Sequence, residues 1–263
     1  MSDDERRPGM RPGAGRGRPE EPGAHPGPRA AVVSGGGSGI GREIALELAR
    51  RGFALALLGR RLAPLEATLA EAGQAAPAAG GLALACDVRD AAAVAAAAAA
   101  VEERWGAAEV VVPAAGTALI RPFQELSPAD FAATVDTNLT GAFLLLRALL
   151  PAMRRRGHGW IFAVLSVAAR RAFPGWAAYC ASKWGLDGLL AALRAELAGS
   201  GVRVTGIYPG ATDTPIWEGA PGTWDRGAMM PAAEVARALG CALDADPRAL
   251  YEEIHLGPAG GAL

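Results

Sequence analysis

Cysteine is scarce in this chain. Its 263 residues hold three, Cys86, Cys180 and Cys241, odd in number, far apart and set in apolar sequence. That pattern excludes a disulfide framework and supplies no zinc ligand cluster; it suits reduced thiols in a cytosol, so a cytoplasmic protein without a metal is expected. An excess of one charge is also lacking. With 26 Lys and Arg against 27 Asp and Glu, the formal net charge is -1, which gives no electrostatic case for nucleic acid. Long hydrophobic runs are missing too: Gly, Pro or a charge interrupts each one before the roughly 18 to 20 residues that a membrane span requires. Large apolar side chains are nearly absent from residues 1–29, which are built from Pro, Gly, Arg and acids. Such a segment cannot bury enough surface to order itself and is expected to be a disordered tail. Asp3, Asp4 and Glu5, and the lack of an apolar stretch, argue against a secretory signal, and the many Pro and Gly would break the amphipathic helix of a transit peptide.

Residues 30–263 are different material, and with 51% hydrophobic residues over the whole chain there is enough to bury a large core. An apolar run from Ala30 to Ser34 leads through a glycine turn into helical spacing from Arg42 to Arg51. The alternation then repeats. Strands are expected at Ala54 to Leu58, Leu82 to Cys86, Val110 to Val112, Ile161 to Leu165, Val202 to Ile207 and Glu253 to Leu256. Helices are expected at Leu62 to Ala72, over the alanine tract Ala91 to Ala100, from an N-cap at Ser127 to about Met153, from the Tyr179 segment to about Ala198, and at Ala232 to Leu243. Strands that are apolar throughout and alternate with helices imply a parallel sheet covered on both faces, hence a single doubly wound, Rossmann-like α/β domain.

The first turn reads Ser34-Gly35-Gly36-Gly37-Ser38-Gly39-Ile40-Gly41. Between a strand and a helix, its backbone amides and the helix N-terminus can hold a pyrophosphate. Neither Gly-x-Gly-x-x-Gly nor a P-loop fits; Gly35-x-x-x-Gly39-x-Gly41 does. A sheet that prefers NAD usually has an acid after its second strand, to bond the ribose 2′-hydroxyl. Here Gly59-Arg60-Arg61 stands in that place, and arginine pairs a 2′-phosphate, so NADP is expected over NAD.

Tyr179 and Lys183 are four residues apart, which places a phenol and an ammonium on one helix face, and Ser166 lies thirteen positions upstream of the tyrosine. A phenol that exchanges protons near neutrality needs such a neighbour, because unperturbed Tyr has a pKa of about 10.

In combination these residues carry a resemblance. From about Ala30 to the C-terminus the chain resembles the one-domain branch of the short-chain dehydrogenase/reductase superfamily. The motifs are the Gly35, Gly39, Gly41 turn, Asp87 after the third strand, Asn138, Ser166, Tyr179, Lys183 and Pro209-Gly210. The resemblance implies hydride transfer between a nicotinamide cofactor and a carbonyl or alcohol. Ser166 would polarise the carbonyl and Tyr179 would act as general acid or base. Lys183 would lower the phenol's pKa and bind the ribose, and Asn138 would anchor a water. The cofactor would lie against the residues from Ser34 to Gly41 (with Gly37, Ser38 and Ile40), Arg60 and Arg61, Asp87 and Val88, Gly116, Pro209, Gly210, Thr212 and Thr214. A homodimer or homotetramer is also implied. The chain departs from the family after the fourth strand, where Asn-Asn-Ala-Gly is replaced by Pro113-Ala114-Ala115-Gly116; the change bears on loop stability and cofactor affinity, not on proton chemistry.

The family's substrate site is bordered by two stretches that here hold Phe173, Pro174 and Trp176, and Ile216, Trp217, Trp224, Met229 and Met230. These side chains imply a largely apolar small-molecule substrate. Two other readings remain open. One is a non-catalytic nucleotide-binding or regulatory protein of the same fold. The other is an epimerase or dehydratase, whose longer C-terminal domain has no counterpart in the roughly fifty residues after Pro209.

Overall fold

Ala30–Ser34 (β1) is buried at all five positions, as a central strand covered on both faces must be. The same holds for the apolar runs of Ala54–Gly59 (β2), buried up to its last residue, and Val110–Pro113 (β4). Gly81–Ala85 (β3) lies at the sheet edge and is partly exposed. With Gly159–Val164 (β5), Val202–Pro209 (β6) and Glu253–Leu256 (β9), these strands form a seven-stranded sheet in the order β3-β2-β1-β4-β5-β6-β9, parallel at every pairing. A separate two-residue pair, Thr212–Asp213 (β7) with Met230–Pro231 (β8), was not apparent from the sequence pattern. The computed structural model describes residues 29–75, 80–218, 220–246 and 248–261; the expected disordered tail lies outside them but for Arg29.

Helices cover both faces. Gly39–Arg50 (α1), Leu62–Ala75 (α2) and Ala232–Leu243 (α7) share one apolar cluster, in which Ile44, Leu48, Phe53, Val235 and Leu239 are wholly buried. Ala91–Trp105 (α3), Gly141–Arg156 (α5) and Ala177–Glu196 (α6) share the other, through Val101, Leu145, Met153, Leu186 and Leu190. Each such side chain contributes about 1.5 to 3 kcal/mol of burial. The chain goes from β1 to β2 on one side and to β4 on the other, so the strand order reverses beside β1. There the connections diverge and leave a crevice at the carboxyl ends of the strands.

Several boundaries differ from the expected ones, and three bear on the crevice. α1 starts at Gly39, not Arg42, because the last glycines of the turn already form its first helical turn. β3 sits one residue earlier than expected, although Cys86 still donates its amide to the Gly59 carbonyl at 2.9 Å. The single long helix expected from Ser127 is divided. Ser127 does cap Pro128–Val135 (α4), accepting from the Asp130 amide at 3.1 Å, but one π-helical stretch, Asp136–Thr140, separates α4 from α5. Asn138 lies in that bulge, with its side chain bonded to partners outside the helix. Such local widening commonly marks a functional position.

Candidate active site

The glycine turn keeps its glycines for identifiable reasons. Gly35 and Gly39 have positive φ, 71° and 52°, a backbone region that costs other residues energy. A Cβ on Gly41 would stand 2.4 Å from the Gly35 carbonyl, and one on Gly39 would press on Thr214 at 3.2 Å. Ser38 is the N-cap of α1 in extended conformation, but its side chain makes no capping bond, and no acid stands in the first turn. The first amides of α1 therefore open uncapped into the crevice, a positive helix end suited to an anionic phosphate.

Ser34 plays a different part from the one expected. Its buried hydroxyl accepts from the amides of Ala114 and Ala115, both at 3.1 Å, and so ties the loop after β4 to β1. Asn138 ties the next residue: its Oδ1 accepts from the Thr117 amide at 2.8 Å, and its Nδ2 donates to the Thr117 carbonyl and to Ser182 Oγ, both at 2.9 Å. Ser182 in turn donates to the Tyr179 carbonyl at 2.7 Å. The amide side chains absent from Pro113-Ala114-Ala115-Gly116 are thus not needed to fasten this loop, which is held from both sides through its own backbone. The structure shows Asn138 as a brace between this loop and α6.

Tyr179, Lys183 and Ser166 meet at the floor of the crevice. Tyr179 and Ser166 both line the cavity there. Burial pushes the phenol up to about 12, and the Ser166 hydroxyl, which favours the phenolate, offsets only part of that rise. Lys183 is 5% exposed; burial holds its ammonium down to about 8. Its Nζ donates to the Val164 carbonyl at 2.8 Å and stands 5.7 Å from the centre of the Tyr179 ring. Lys183 is the only lysine among 26 basic residues, and Asn138 is the only asparagine in the chain. A chain that uses arginine at every other basic position keeps here the cation that can lose its proton when buried. This compositional signal was available in the sequence and sharpens the site more than the four-residue spacing does.

A cavity of about 650 Å³ opens above this floor. Gly35, Ser38, Gly39, Ile40, Gly41, Gly116, Ser166, Tyr179, Lys183, Pro209, Gly210, Thr212 and Thr214 all line it, as do Phe173, Trp176, Ile216, Trp217 and Trp224. Ser34, Gly37, Arg60, Arg61, Asp87 and Val88 do not. Gly37 packs on Pro64 and Leu65, where a Cβ would come within 2.9 Å, and Val88 packs on Gly141. Arg60 and Arg61 are exposed just beyond β2 and make no hydrogen bond or ion pair among the described residues. Asp87, beyond the neighbouring β3, is paired with Arg89 at 2.6 Å, which with the more distant Arg60 holds its carboxyl near 2. Met229 and Met230, expected near substrate, are buried away from the cavity. Arg171, Glu218 and Pro258 line it without having been singled out in the sequence; they come from separate loops that only the fold brings together.

The short chain dehydrogenase family profile matches residues 29–222. The sepiapterin reductase of Chlorobaculum tepidum is 35% identical over 239 residues, covering 88% of this chain and 96% of that protein. A D-threitol dehydrogenase from Mycolicibacterium smegmatis is 39% identical over 198 residues, 74% of this chain and 75% of the relative. Among solved structures, an alcohol dehydrogenase from the archaeon Thermococcus sibiricus, complexed with 5-hydroxy-NADP, superposes with a TM-score of 0.82 at 30% identity, covering 89% of this chain and 98% of that one. The chain belongs to the short-chain dehydrogenase/reductase superfamily, and it is an NAD(P)-dependent oxidoreductase. No helix among the described residues is long and apolar enough to cross a membrane, and no group of three or more His, Cys, Asp or Glu among them could hold a metal.

Proposed function

We propose that the protein interconverts a ketone or aldehyde and its alcohol with NADP(H), Tyr179 moving the proton. The observation that carries this reading is the convergence of Tyr179 and Ser166 in the lining of one cavity, with the one lysine of the chain buried a helical turn away. The uncapped start of α1 and the glycine turn that leads into it fit a nicotinamide dinucleotide. When bound, that cofactor supplies or takes up the hydride at the substrate carbon. Ser166 and Tyr179 bind the substrate oxygen, Ser166 by donating a hydrogen bond that stabilises developing negative charge. Tyr179 gives that oxygen its proton in reduction and takes it back in oxidation. A phenol pushed up to about 12 gives up a proton reluctantly. Lys183, as a cation beside it, stabilises the phenolate, and an arginine there would not fill the same compact space. Asn138 holds the Gly116 and Thr117 loop and, through Ser182, the start of α6, so that Tyr179 and Lys183 keep their register.

Arg60 and Arg61 support NADP as the cofactor. Both guanidinium groups are exposed and uncommitted, no acid follows β2, and the one acid beyond β3, Asp87, is engaged with Arg89. Relatives with NADP or NADPH bound add to this, among them the 5-hydroxy-NADP complex and an actinorhodin polyketide ketoreductase with NADPH. Other named relatives point to different substrates, including sepiapterin and D-threitol, so the substrate is read from the cavity and is largely apolar. A titration with NADPH and NADH, followed by a carbonyl panel monitored at the reduced-nicotinamide absorbance, tests the reading. Because Lys183 is the only side-chain amine, its protection from an amine-selective reagent by NADPH gives a readout independent of turnover. Absence of both protection and binding would defeat it.

A further inference from the structure

We propose that the cleft selects a carbonyl compound with an aromatic ring next to its reacting carbon, and that Trp217 together with Trp176 makes the selection. The inference rests on the oxidoreductase reading of the same cavity. A continuous run of rings leads from the reacting phenol to the cavity mouth. Trp176 meets Tyr179 edge-on at 5.4 Å and 68°, and meets Trp217 at 5.8 Å and 67°; Trp217 then meets Trp224 at 4.7 Å and 47°. All three indoles line the cavity and stay half-buried, so their ring surface is left open to a ligand instead of being closed into the core.

Two of the three indoles are also held by hydrogen bonds without a ligand. Trp217 donates its Nε1 proton to the Thr212 carbonyl at 2.8 Å, and Trp224 donates to the Pro221 carbonyl at 3.1 Å. With these N–H groups already bonded to backbone, Trp217 and Trp224 offer a ligand ring faces and edges, not hydrogen bonds. Aromatic pairs gain from tilted contact at these separations, whereas a saturated ring of the same size has only its area to bury. Charge adds no competing preference: Arg171 and Glu218, the charged side chains nearest the mouth in this lining, are opposite in sign and both exposed. A hydrogen-bonding substrate such as a polyhydroxylated one finds little to bond on Trp217 and Trp224.

The test compares acetophenone with 1-cyclohexylethanone, which differ in the ring's aromaticity at nearly constant size. Dissociation constants are measured by calorimetry in the presence of NADP⁺, where neither ketone is reduced, and kcat/KM is measured with NADPH. Acetophenone is expected to bind about tenfold more tightly, the gain of one or two tilted aromatic contacts, and its kcat/KM is expected to exceed that of the saturated ketone by a similar factor. Trp217→Leu is expected to bring the binding ratio below about threefold and Trp217→Phe, which restores a ring, to recover most of it; Trp224→Leu, at the mouth, provides a second variant should the first fail to fold. Equal binding of the two ketones, absence of binding by either, or a ratio that Trp217→Leu and Trp224→Leu both leave unmoved would overturn the inference, and NADPH oxidation in those cases would leave the oxidoreductase reading intact. A clear binding preference without any NADPH oxidation would do the reverse, supporting the aromatic selection and sinking hydride transfer.

Discussion

The floor of the cavity and the loop after β2, outside its lining, are built on opposite principles. At the proposed proton-handling end Asn138, Lys183 and Tyr179 are nearly removed from solvent, and the polar atoms of Asn138 and Lys183 are matched to partners in three separate segments of the chain. Beyond β2 Arg60 and Arg61 stand exposed and without hydrogen bonds among the described residues, and Asp87 bonds its near neighbour Arg89. The first is preorganised and its pKa values are shifted by burial; the second is solvated. Chemistry that depends on a shifted pKa needs the first kind of environment, whereas discrimination between two cofactors that differ by a phosphate needs only available charge.

The contrast predicts that changes at the buried end cost most. Tyr179→Phe removes the proton donor alone and is expected to lower kcat by about a thousandfold, within the range of lost acid–base catalysis. NADPH affinity by fluorescence should stay within about threefold, because a lost hydroxyl leaves the phosphate end untouched. Turnover that survived the substitution would mean that the proton travels by another route. Asn138→Ala comes next. It leaves the Thr117 amide and carbonyl and Ser182 Oγ short of a partner in a buried place, a loss of about 2 to 3 kcal/mol of stability, readable as a lower thermal midpoint and a raised KM for NADPH. An unchanged midpoint would show that the brace between the β4 loop and α6 is dispensable.

At the exposed end the expected effect is smaller and selective. Arg60→Ala should weaken NADPH about tenfold, the loss of one charge-assisted contact, and leave NADH unchanged. Equal weakening of both cofactors would place Arg60 in a general structural role.

The smallest effect is a pH dependence of stability. Lys183 has its pKa lowered on folding, to about 8 from 10.5. Between those values the unfolded chain binds more protons than the folded one, so stability contributed by this group rises with pH, on the order of 1 kcal/mol per unit. The raised phenol of Tyr179, shifted from 10 to about 12, acts with the opposite sign, since the folded form then binds more protons and stability falls with rising pH, but only above about 10. Melting midpoints of the protein and of Lys183→Met from pH 7.5 to 9.5 isolate the first effect. A difference between the two curves that does not change with pH would mean that the lysine is no more buried than a surface amine.

Much of this contrast could be read from the chain before folding was considered. The strands and helices were visible as apolar runs and 3.6-residue spacing, and their order implied a doubly wound parallel sheet. The reacting groups stood at spacings with a chemical motive, and the single lysine marked one of them. The boundaries that shifted did so where tertiary bonds intervene: Asn138 reaches out to Thr117 and Ser182, and the helix widens around it. Ser34 looked like part of a phosphate cradle because it adjoins the glycines, but its hydroxyl faces the neighbouring loop after β4, a partner eighty residues away in sequence.

The sequence by itself determined the architecture, the family and the candidates for proton handling, because periodicity, turn chemistry and a helical spacing of four are local properties. Only the tertiary structure decided which of those groups are dry. It buried Tyr179 and Lys183 enough to move both pKa values, fastened a loop without amide side chains of its own, and brought Trp176, Trp217 and Trp224 into successive ring contacts that start at the phenol. Desolvation and ring packing are properties of space, not of order along the chain, and neighbours in space are set by the fold.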